Sequence, residues 1–317
     1  MPQTTDPAEI ERGARLLRAG RLVAFPTETV YGLGANALDA EAVGRIYAVK
    51  RRPATSPLIV HVASIEMAQS LVAHWPESAD RLARRCWPGP LTLVLKKLPL
   101  IPGIVTANLS TVGIRMPAHP MALALIRAAG VPVAAPSANR FTELSPTTAE
   151  HVRRRLGNEV DLILDGGPCN VGIESTVLSL AEPTPMLLRP GGISRAELEA
   201  IIGPVGWAEE TQAGAHPSPG MHLRHYSPRT TLYLATDGKL PDQGRGFYLR
   251  QQHAANRFDV DVVIEQMPQS AADYAAVLYG VLHRADAGNY DWIAVDLPPN
   301  APEWEAIYDR LKRAAAK

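Results

Sequence analysis

Cysteine is scarce in this sequence, and its scarcity excludes two kinds of stabilising framework. The 317 residues contain two cysteines, Cys86 and Cys169, which stand far apart and form no C-x-x-C pair. A disulfide scaffold or a cysteine-type zinc site therefore has no basis here, and the sequence fits a reducing compartment. The first residues, among them Asp6, Glu9 and Glu11, contain no apolar stretch like that of a signal peptide. We accordingly expect a cytoplasmic protein.

Long apolar runs and net charge are also missing. No run approaches the ~18 apolar residues that a membrane span needs, so no membrane partner is expected. Lysine and arginine together number 32, as do aspartate and glutamate, so the net charge is zero. The chain therefore has no global field that would draw it onto nucleic acid. Lysine itself is rare, and Lys50 is the only one among the first 95 residues.

The common nucleotide and hydrolase signatures are absent as well. The sequence has no G-x-x-x-x-G-K-[ST] loop, no G-x-G-x-x-G, no H-E-x-x-H and no G-x-S-x-G. A nucleotide would thus have to be held by side chains and scattered backbone amides. His222 and His225 are spaced like metal ligands, but no cysteine or carboxylate cluster accompanies them, and no protein metal site is predicted.

What is present predicts a mixed α/β protein in two parts. Strand and helix patterns alternate up to about residue 156, and three strands separated only by turns follow, which favours a mixed sheet with an antiparallel portion. The stretch 204–229 has four prolines, three glycines and no periodicity, as a linker does. We therefore predict a larger α/β domain over 1–203, a linker over 204–229, and a smaller α/β domain over 230–317.

The segment from Pro26 to Val62 holds the most polar pattern at a strand end. Thr27, Thr29 and Tyr31 alternate, so period two predicts that they share one face, and the glycines at 32 and 34 would allow a tight turn. Lys50 and Arg52 straddle Arg51 before a proline, where an extended chain would point both cations to the same side. Such a pair can hold a polyphosphate. A solvated basic helix end is the alternative.

Five later positions carry polar side chains at or near apolar strands. Arg115 lies between Ile114 and Met116 and, if buried, needs an anionic partner, which could equally be a structural salt bridge. Ser137 and Asn139 follow a strand and suit either phosphate and ribose or the capping of a turn. Ser175 and Arg189 stand near apolar strands, where ordinary turn chemistry would also explain them.

The order and spacing of these motifs resemble the YrdC-like family of L-threonylcarbamoyladenylate synthases. The resemblance is carried by PTETVYGLGANA, a K-x-R-P segment before PLIVHV, PGPLTLVL, TVGIRMP, PSAN, DGG, IESTV and LRPGG, and it covers residues 8–203. PGMHLRHYSP at 219–228 and AIYDRLKRAA at the end resemble the long form, which carries a linker and a C-terminal domain.

The resemblance implies a fold and a reaction. The fold is a YrdC-like twisted mixed sheet with helices, followed by a smaller Rossmann-like α/β domain. Family members are nucleotidyltransferases that condense L-threonine, bicarbonate or CO2 and ATP into threonylcarbamoyl-AMP and pyrophosphate, with Mg²⁺ covering the phosphates. A transferase machinery then passes the threonylcarbamoyl group to tRNA, which this chain would meet only indirectly.

The resemblance also implies site residues. The threonine pocket would use Thr29, His61, Arg115 and Ser175. Lys50 and Arg52 would act in catalysis. ATP would meet Lys50, Arg52, Ser56, Thr111, Ala135, Ser137, Asn139, Ser145, Arg189 and, from the linker, Tyr226. Ala135 stands where the family often has serine, and Ser56 where many relatives have asparagine.

Two other functions remain open at this point. An RNA-binding module of the same fold would use a concave basic surface, although the zero net charge counts against high affinity. The carbamoyl-adenylate step of hydrogenase maturation uses a related domain, but in proteins with cysteine-rich zinc motifs, which this chain lacks.

Overall fold

The elements of this protein are seen in a computed structural model that describes residues 6–208, 225–235, 240–251 and 261–316. The helices in these ranges are α1 (Pro7–Arg18), α2 (Ala40–Lys50), α3 (Ile65–Gln69), α4 (Glu77–Cys86), α5 (Pro120–Ala129), α6 (Ala149–Leu156), α7 (Arg195–Ile202), α8 (Ala271–Ala287) and α9 (Glu305–Ala314). The strands are β1 (Val23–Phe25), β2 (Gly32–Asn36), β3 (Ile59–His61), β4 (Leu91–Lys96), β5 (Thr111–Arg115), β6 (Val133–Ala134), β7 (Leu162–Ile163), β8 (Thr176–Ser179), β9 (Met186–Arg189), β10 (Gly206–Trp207), β11 (Thr231–Ala235), β12 (Gly246–Arg250), β13 (Val262–Gln266) and β14 (Trp292–Asp296). No helix within these ranges combines the length and the apolarity needed to cross a bilayer.

Two sheets organise the described residues. The first has ten strands in the order β10-β9-β8-β4-β5-β3-β6-β2-β1-β7 and mixes parallel with antiparallel pairs. The second has four strands in the order β11-β14-β12-β13, all of them parallel. Along the chain, α8 lies between β13 and β14, and α9 follows β14. The prediction of a mixed sheet with a smaller α/β unit is confirmed.

Local sequence accounts for several helix ends. The Asp6 side chain accepts a hydrogen bond from the Ala8 amide, and Pro7 opens α1. Ser194 and Glu197 form a capping box at the start of α7, with both reciprocal hydrogen bonds present. The Thr148 side chain accepts a hydrogen bond from the His151 amide and caps the start of α6.

The prediction of a tight turn at Gly32 and Gly34 was wrong, because both glycines lie in strand β2. Gly34 pairs with Val23 across the antiparallel ladder. A Cβ on Gly34 would stand 2.7 Å from a Phe25 ring carbon and 2.9 Å from a Val133 methyl. The glycine is thus required by close packing of neighbouring strands, which a pattern of turn formers cannot distinguish from a turn.

The predicted linker contains described residues at both ends. Gly206 and Trp207 form β10, which pairs parallel with β9 at the edge of the first sheet. Tyr226 is buried in a cluster that also holds Val30 and Ile173 from the first sheet region and Leu278 from α8. Residues 209–224, including His222, lie outside the described residues. The apolar core therefore continues from one sheet region into the other.

A histidine pair lies where α6 meets α8. The rings of His151 and His283 stack with centroids 3.8 Å apart, and His283 Nε2 donates to the Ser145 carbonyl at 3.0 Å. Burial is the main reason that the pKa of His151 is lowered to about 3 and that of His283 to about 4, and the charge of Arg155 acts in the same direction. Asp286 on the same helix pairs with Arg155 at 3.1 Å. Both rings are therefore neutral in the folded protein at neutral pH.

We predict that the free energy of unfolding falls as the pH drops from about 6.5 towards 4. Over that range the unfolded chain binds protons at these rings and the folded chain does not. His151→Gln should make this dependence less steep, by at most about 1.4 kcal/mol per pH unit. Urea unfolding between neutral and mildly acidic pH measures it, with His74→Gln on the exposed surface as control. An unchanged slope in His151→Gln would contradict the assignment.

Candidate active site

One pocket collects polar side chains from distant parts of the chain. Nine of the predicted threonine-binding and ATP-binding residues line it: Thr29, Arg52, His61, Arg115, Ala135, Ser137, Ser175, Arg189 and Tyr226. They come from the loop after β1, the end of α2, strands β3 and β5, the loop after β6, the start of β8, the end of β9 and the segment before β11. Residues far apart in sequence thus meet at one concave surface.

Lys50 lies behind this pocket rather than along it. Its side chain is 1% exposed, and Nζ donates to the Ser137 carbonyl at 2.6 Å and to the Asn139 carbonyl at 2.5 Å. The extended segment expected here is instead a helix end, in which Arg51 takes a left-handed conformation at φ 52°. Lys50 and Arg52 consequently point different ways. Burial, followed by the charge of Arg52, holds the pKa of Lys50 well below its usual range.

Four further predicted residues do not line the pocket: three bond residues at or near it, and the fourth lies elsewhere. The Ser56 hydroxyl and carbonyl accept hydrogen bonds from Arg52. Asn139 donates to the Glu143 carbonyl at 2.7 Å, and Ser145 donates from its hydroxyl to Glu174 Oε1 at 2.6 Å. Thr111 begins β5 and lines a separate, smaller cavity.

Arg115 meets the anionic partner that its burial requires. Its Nη2 lies 2.7 Å from Glu28 Oε1, and both side chains are nearly inaccessible. Its Nη1 donates to Thr29 Oγ1 at 2.9 Å, and its Nε donates to the Gly89 carbonyl at 3.2 Å. The salt bridge that the sequence left open therefore exists, and the same guanidinium also faces the pocket.

His61 contributes an unpaired ring nitrogen. The side chain is 3% exposed, and Nδ1 has no hydrogen-bond partner among the described residues. Burial, followed by the charge of Arg115, lowers the pKa of His61 to about 3. The ring is therefore neutral at neutral pH, with a polar atom that a ligand could satisfy.

Arg52 and Arg189 supply the other two cations of the lining. Arg52 donates to the Pro57 carbonyl at 3.0 Å, and its guanidinium lies 5.5 Å from the Phe141 ring centroid. Burial is the main reason that the pKa of Arg52 is lowered to about 10, so the group stays charged. Arg189 donates to the Ser175 carbonyl at 3.0 Å and to its hydroxyl at 3.2 Å. Two fixed, buried cations face one space.

Glu174 is the site residue that sequence reasoning missed. It lines the pocket and accepts from Ser145, from Tyr279 at 3.1 Å and from Arg310 at 2.8 Å. Burial alone would raise the pKa of Glu174, but the charge of Arg310 holds it below its usual range. The available signal was its place in IESTV, one residue before Ser175, yet nothing local indicates a partner more than a hundred residues away.

The backbone beside Glu174 packs unusually closely. A Cβ on Gly191 would stand 2.2 Å from the Thr176 amide nitrogen and 2.6 Å from the Glu174 carbonyl oxygen. The glycines of LRPGG thus let the end of β9 lie directly against the start of β8. This contact fixes Arg189 and Ser175 relative to each other.

Tyr226 closes the pocket. Its ring is 1% exposed, its hydroxyl has no hydrogen-bond partner among the described residues, and its φ is 59°, in the left-handed region. A non-glycine residue in that region costs on the order of 1–3 kcal/mol, so the surroundings must hold it there. The space left in this partly open pocket is about 50 Å³, far below the roughly 300–1,000 Å³ of ordinary ligand pockets.

The described residues do not fit a metal site made by the protein. None of them form a group of three or more histidine, cysteine, aspartate or glutamate side chains suited to an ion. Glu174, the carboxylate of the lining, is already engaged by Arg310, Tyr279 and Ser145. No step of the chemistry is therefore assigned to a protein-held metal.

Two family models match consecutive parts of the chain. The model described as "Telomere recombination", which joins Sua5, YciO and YrdC, matches residues 15–191. The model described as "Threonylcarbamoyl-AMP synthase, C-terminal domain" matches residues 193–316.

Curated proteins and solved structures agree with these matches. The chain is 43% identical to a threonylcarbamoyl-AMP synthase of Bacillus subtilis over 98% of this chain and 94% of that protein. It is 49% identical to the Pyrococcus abyssi protein of the same name over 71% of this chain and 67% of that one. Its fold matches the crystal structure of P. abyssi Sua5 complexed with L-threonine at a TM-score of 0.89 and 37% identity, covering 98% of this chain and 95% of that one.

Lys50→Met should lower the free energy of unfolding by roughly 1–3 kcal/mol, because the Ser137 and Asn139 carbonyls lose a buried donor. The loss is partly offset, since methionine avoids the cost of burying an ammonium group. Urea denaturation measures the change. Lys96→Met, at an exposed lysine, is the control and should alter stability little. Equal free energies of unfolding in the two variants would show that Lys50 does not stabilise the segment that contains Ser137 and Asn139.

Proposed function

This chain belongs to the threonylcarbamoyl-AMP synthase family, and we infer that it is itself such a synthase. It condenses L-threonine, bicarbonate or CO2 and ATP into threonylcarbamoyl-AMP and pyrophosphate, for the threonylcarbamoyladenosine modification of tRNA. The observation that carries this conclusion is the convergence of Arg52, Arg115 and Arg189 on one pocket. The family matches favour the synthase over an RNA-binding module.

The threonine half of the pocket is proposed to lie around Arg115. The guanidinium would bind the substrate carboxylate, in competition with or beside its contact to Glu28. Thr29 already accepts from Arg115 and is thereby held at the same spot. The neutral His61, with Nδ1 unpaired, offers a polar atom to the small substrate, and Ser175 closes that side.

The nucleotide half is proposed to lie between Arg52 and Arg189. These two cations suit a triphosphate, because charge-assisted hydrogen bonds are the strong ones. Ser137 and the backbone at Ala135 line the same space. Lys50, Ser56, Asn139 and Ser145 would act indirectly, by fixing the groups that do line it. The direct contact of Thr111 with ATP, which the resemblance implied, stays a prediction.

The chemistry needs positioning more than covalent help. The threonine amine and CO2 form a carbamate, and a carbamate oxygen attacks the α-phosphorus of ATP. The bond from that phosphorus to the bridging oxygen breaks, and pyrophosphate leaves with the electron pair. Fixed cations in a water-excluded pocket stabilise charge as it moves onto the leaving group. Mg²⁺, if used, would enter bound to the phosphates of ATP.

Tyr226 is proposed to act as a lid over the nucleotide. It fills the pocket in a left-handed backbone conformation, and the space left is too small for ATP. Substrates can enter only after this side chain moves, as in enzymes that exclude water by closing a loop. The resemblance to the family supports three further proposals. The chain would divide at residues 203 and 229. The product would pass to a transferase machinery, and the chain would meet tRNA only indirectly.

Incubation of the protein with ATP, labelled bicarbonate and threonine should give a labelled adenylate. Arg115→Ala should lower kcat/KM for threonine by about 30-fold to several thousand-fold, since it removes a buried charge contact worth roughly 2–5 kcal/mol. Arg127→Ala, at an exposed arginine of α5, is the control. Arg115→Lys tests the role if the alanine variant does not fold. Unchanged threonine kinetics in a folded variant would exclude the proposed contact.

Tyr226→Ala should speed the release of bound ATP and reduce turnover, because the aromatic cover of the pocket is lost. An increase in the dissociation rate of about tenfold would match the loss of one well-packed aromatic contact. Stopped-flow displacement of a fluorescent ATP analogue measures the rate. Tyr308→Ala, at a tyrosine of α9 that is 46% exposed, is the matched control. Equal release rates in both variants would rule out a lid at Tyr226.

A further inference from the structure

One side chain from the second sheet region reaches three segments of the pocket. Arg310 lies in α9 and is 1% exposed. Its Nε donates to Glu174 Oε2 at 2.8 Å, and its Nη2 donates to the Pro190 carbonyl at 3.0 Å. Its guanidinium carbon stands 5.2 Å from the centroid of the Tyr226 ring. The end of the chain therefore touches a pocket carboxylate, the residue after Arg189, and the lid.

Glu174 places a negative charge where an anionic substrate is proposed to bind. It lines the pocket and is 7% exposed. Arg189 is close enough for its charge to act on this carboxylate, second only to Arg310. Without Arg310, the carboxylate would have Arg189 as its principal remaining cation, and it would repel a phosphate brought to that arginine. The charge of Arg310, whose Nη1 also pairs with Asp309 at 2.6 Å, offsets this effect.

Tyr279 of α8 supports the same carboxylate. Its hydroxyl lies 3.1 Å from Oε2 and 3.3 Å from Oε1, while Ser145 donates to Oε1 at 2.6 Å. Both carboxylate oxygens are thus occupied by donors, two of which come from residues beyond position 270. A buried charge held by donors in this way is fixed in position as well as neutralised.

We propose that Arg310 is a positioning residue for nucleotide binding, which offsets the charge of Glu174 so that this carboxylate does not repel the phosphates of ATP. The C-terminal part of the chain is then a component of the nucleotide half of the active site. This inference rests on the proposed synthase function.

Arg310→Met keeps the length of the side chain and removes its charge. We expect KM for ATP, and Kd for a non-hydrolysable ATP analogue measured by calorimetry, to rise by about 10-fold to 100-fold, the effect of losing one charge-assisted contact. KM for threonine should change less than about twofold, because Arg310 does not contact Arg115 or His61. A rise in KM for both substrates alike would indicate a general structural role and overturn the proposal.

A double variant separates charge from packing. Glu174→Gln combined with Arg310→Met removes both charges, so affinity for the ATP analogue should recover to within about threefold of Glu174→Gln alone. If the double variant binds as weakly as Arg310→Met, the proposal is wrong. Lys312→Met, at an exposed cation two residues along α9, is the matched control and should bind like the unaltered protein.

Two further outcomes keep the inference distinct from the proposed function. If the unaltered protein and Lys312→Met form no adenylate, the synthase proposal fails, whatever Arg310 does. If Arg310→Met does not fold, Tyr279→Phe removes a donor to Glu174 without leaving a cavity. That variant should raise KM for ATP by about threefold to tenfold. No change in it would overturn the role assigned to this carboxylate cluster.

Discussion

The ion pair between Glu174 and Arg310 joins the two sheet regions at the active site. Both side chains are buried, with Arg310 1% and Glu174 7% exposed, and a buried charge that loses its partner is strongly destabilising. Each member also serves other groups, since Glu174 accepts from Ser145 and Arg310 donates to the Pro190 carbonyl. The two regions therefore cannot shift relative to each other without disturbing the strands that carry Ser175 and Arg189. The arrangement of the pocket follows from this pair.

Charge in the pocket is distributed unevenly, and the imbalance suits the substrates. Glu28 pairs with Arg115 and Glu174 with Arg310, while Arg52 and Arg189 also line the cavity. Burying such cations is unfavourable unless an anion arrives to share the site. If ATP binds between Arg52 and Arg189, as proposed, its phosphates would offset part of the cost of burying these cations.

Local sequence patterns predicted the helices and strands and the positions of the polar residues. They did not predict the direction of individual side chains or their partners from distant parts of the chain. The caps at Asp6 and Ser194 and the buried Arg115 follow from neighbouring residues or from one ion in an apolar strand. The direction of Lys50 does not, because it depends on Arg51 taking a left-handed conformation at the end of α2. Glu174 was missed because its partner is 136 residues away. Long-range pairing is set by how the sheets meet, which no short window of sequence contains.

The closed position of Tyr226 has a consequence for the fate of the product. A carbamoyl-phosphate anhydride is reactive towards solvent, and the side chain proposed as a lid would block the way out as well as exclude water. Departure of the adenylate would then await the same displacement that admits the next ATP. Synthesis and hand-over would share a single gate, so the labile intermediate would leave only at the moment the site is ready to be refilled.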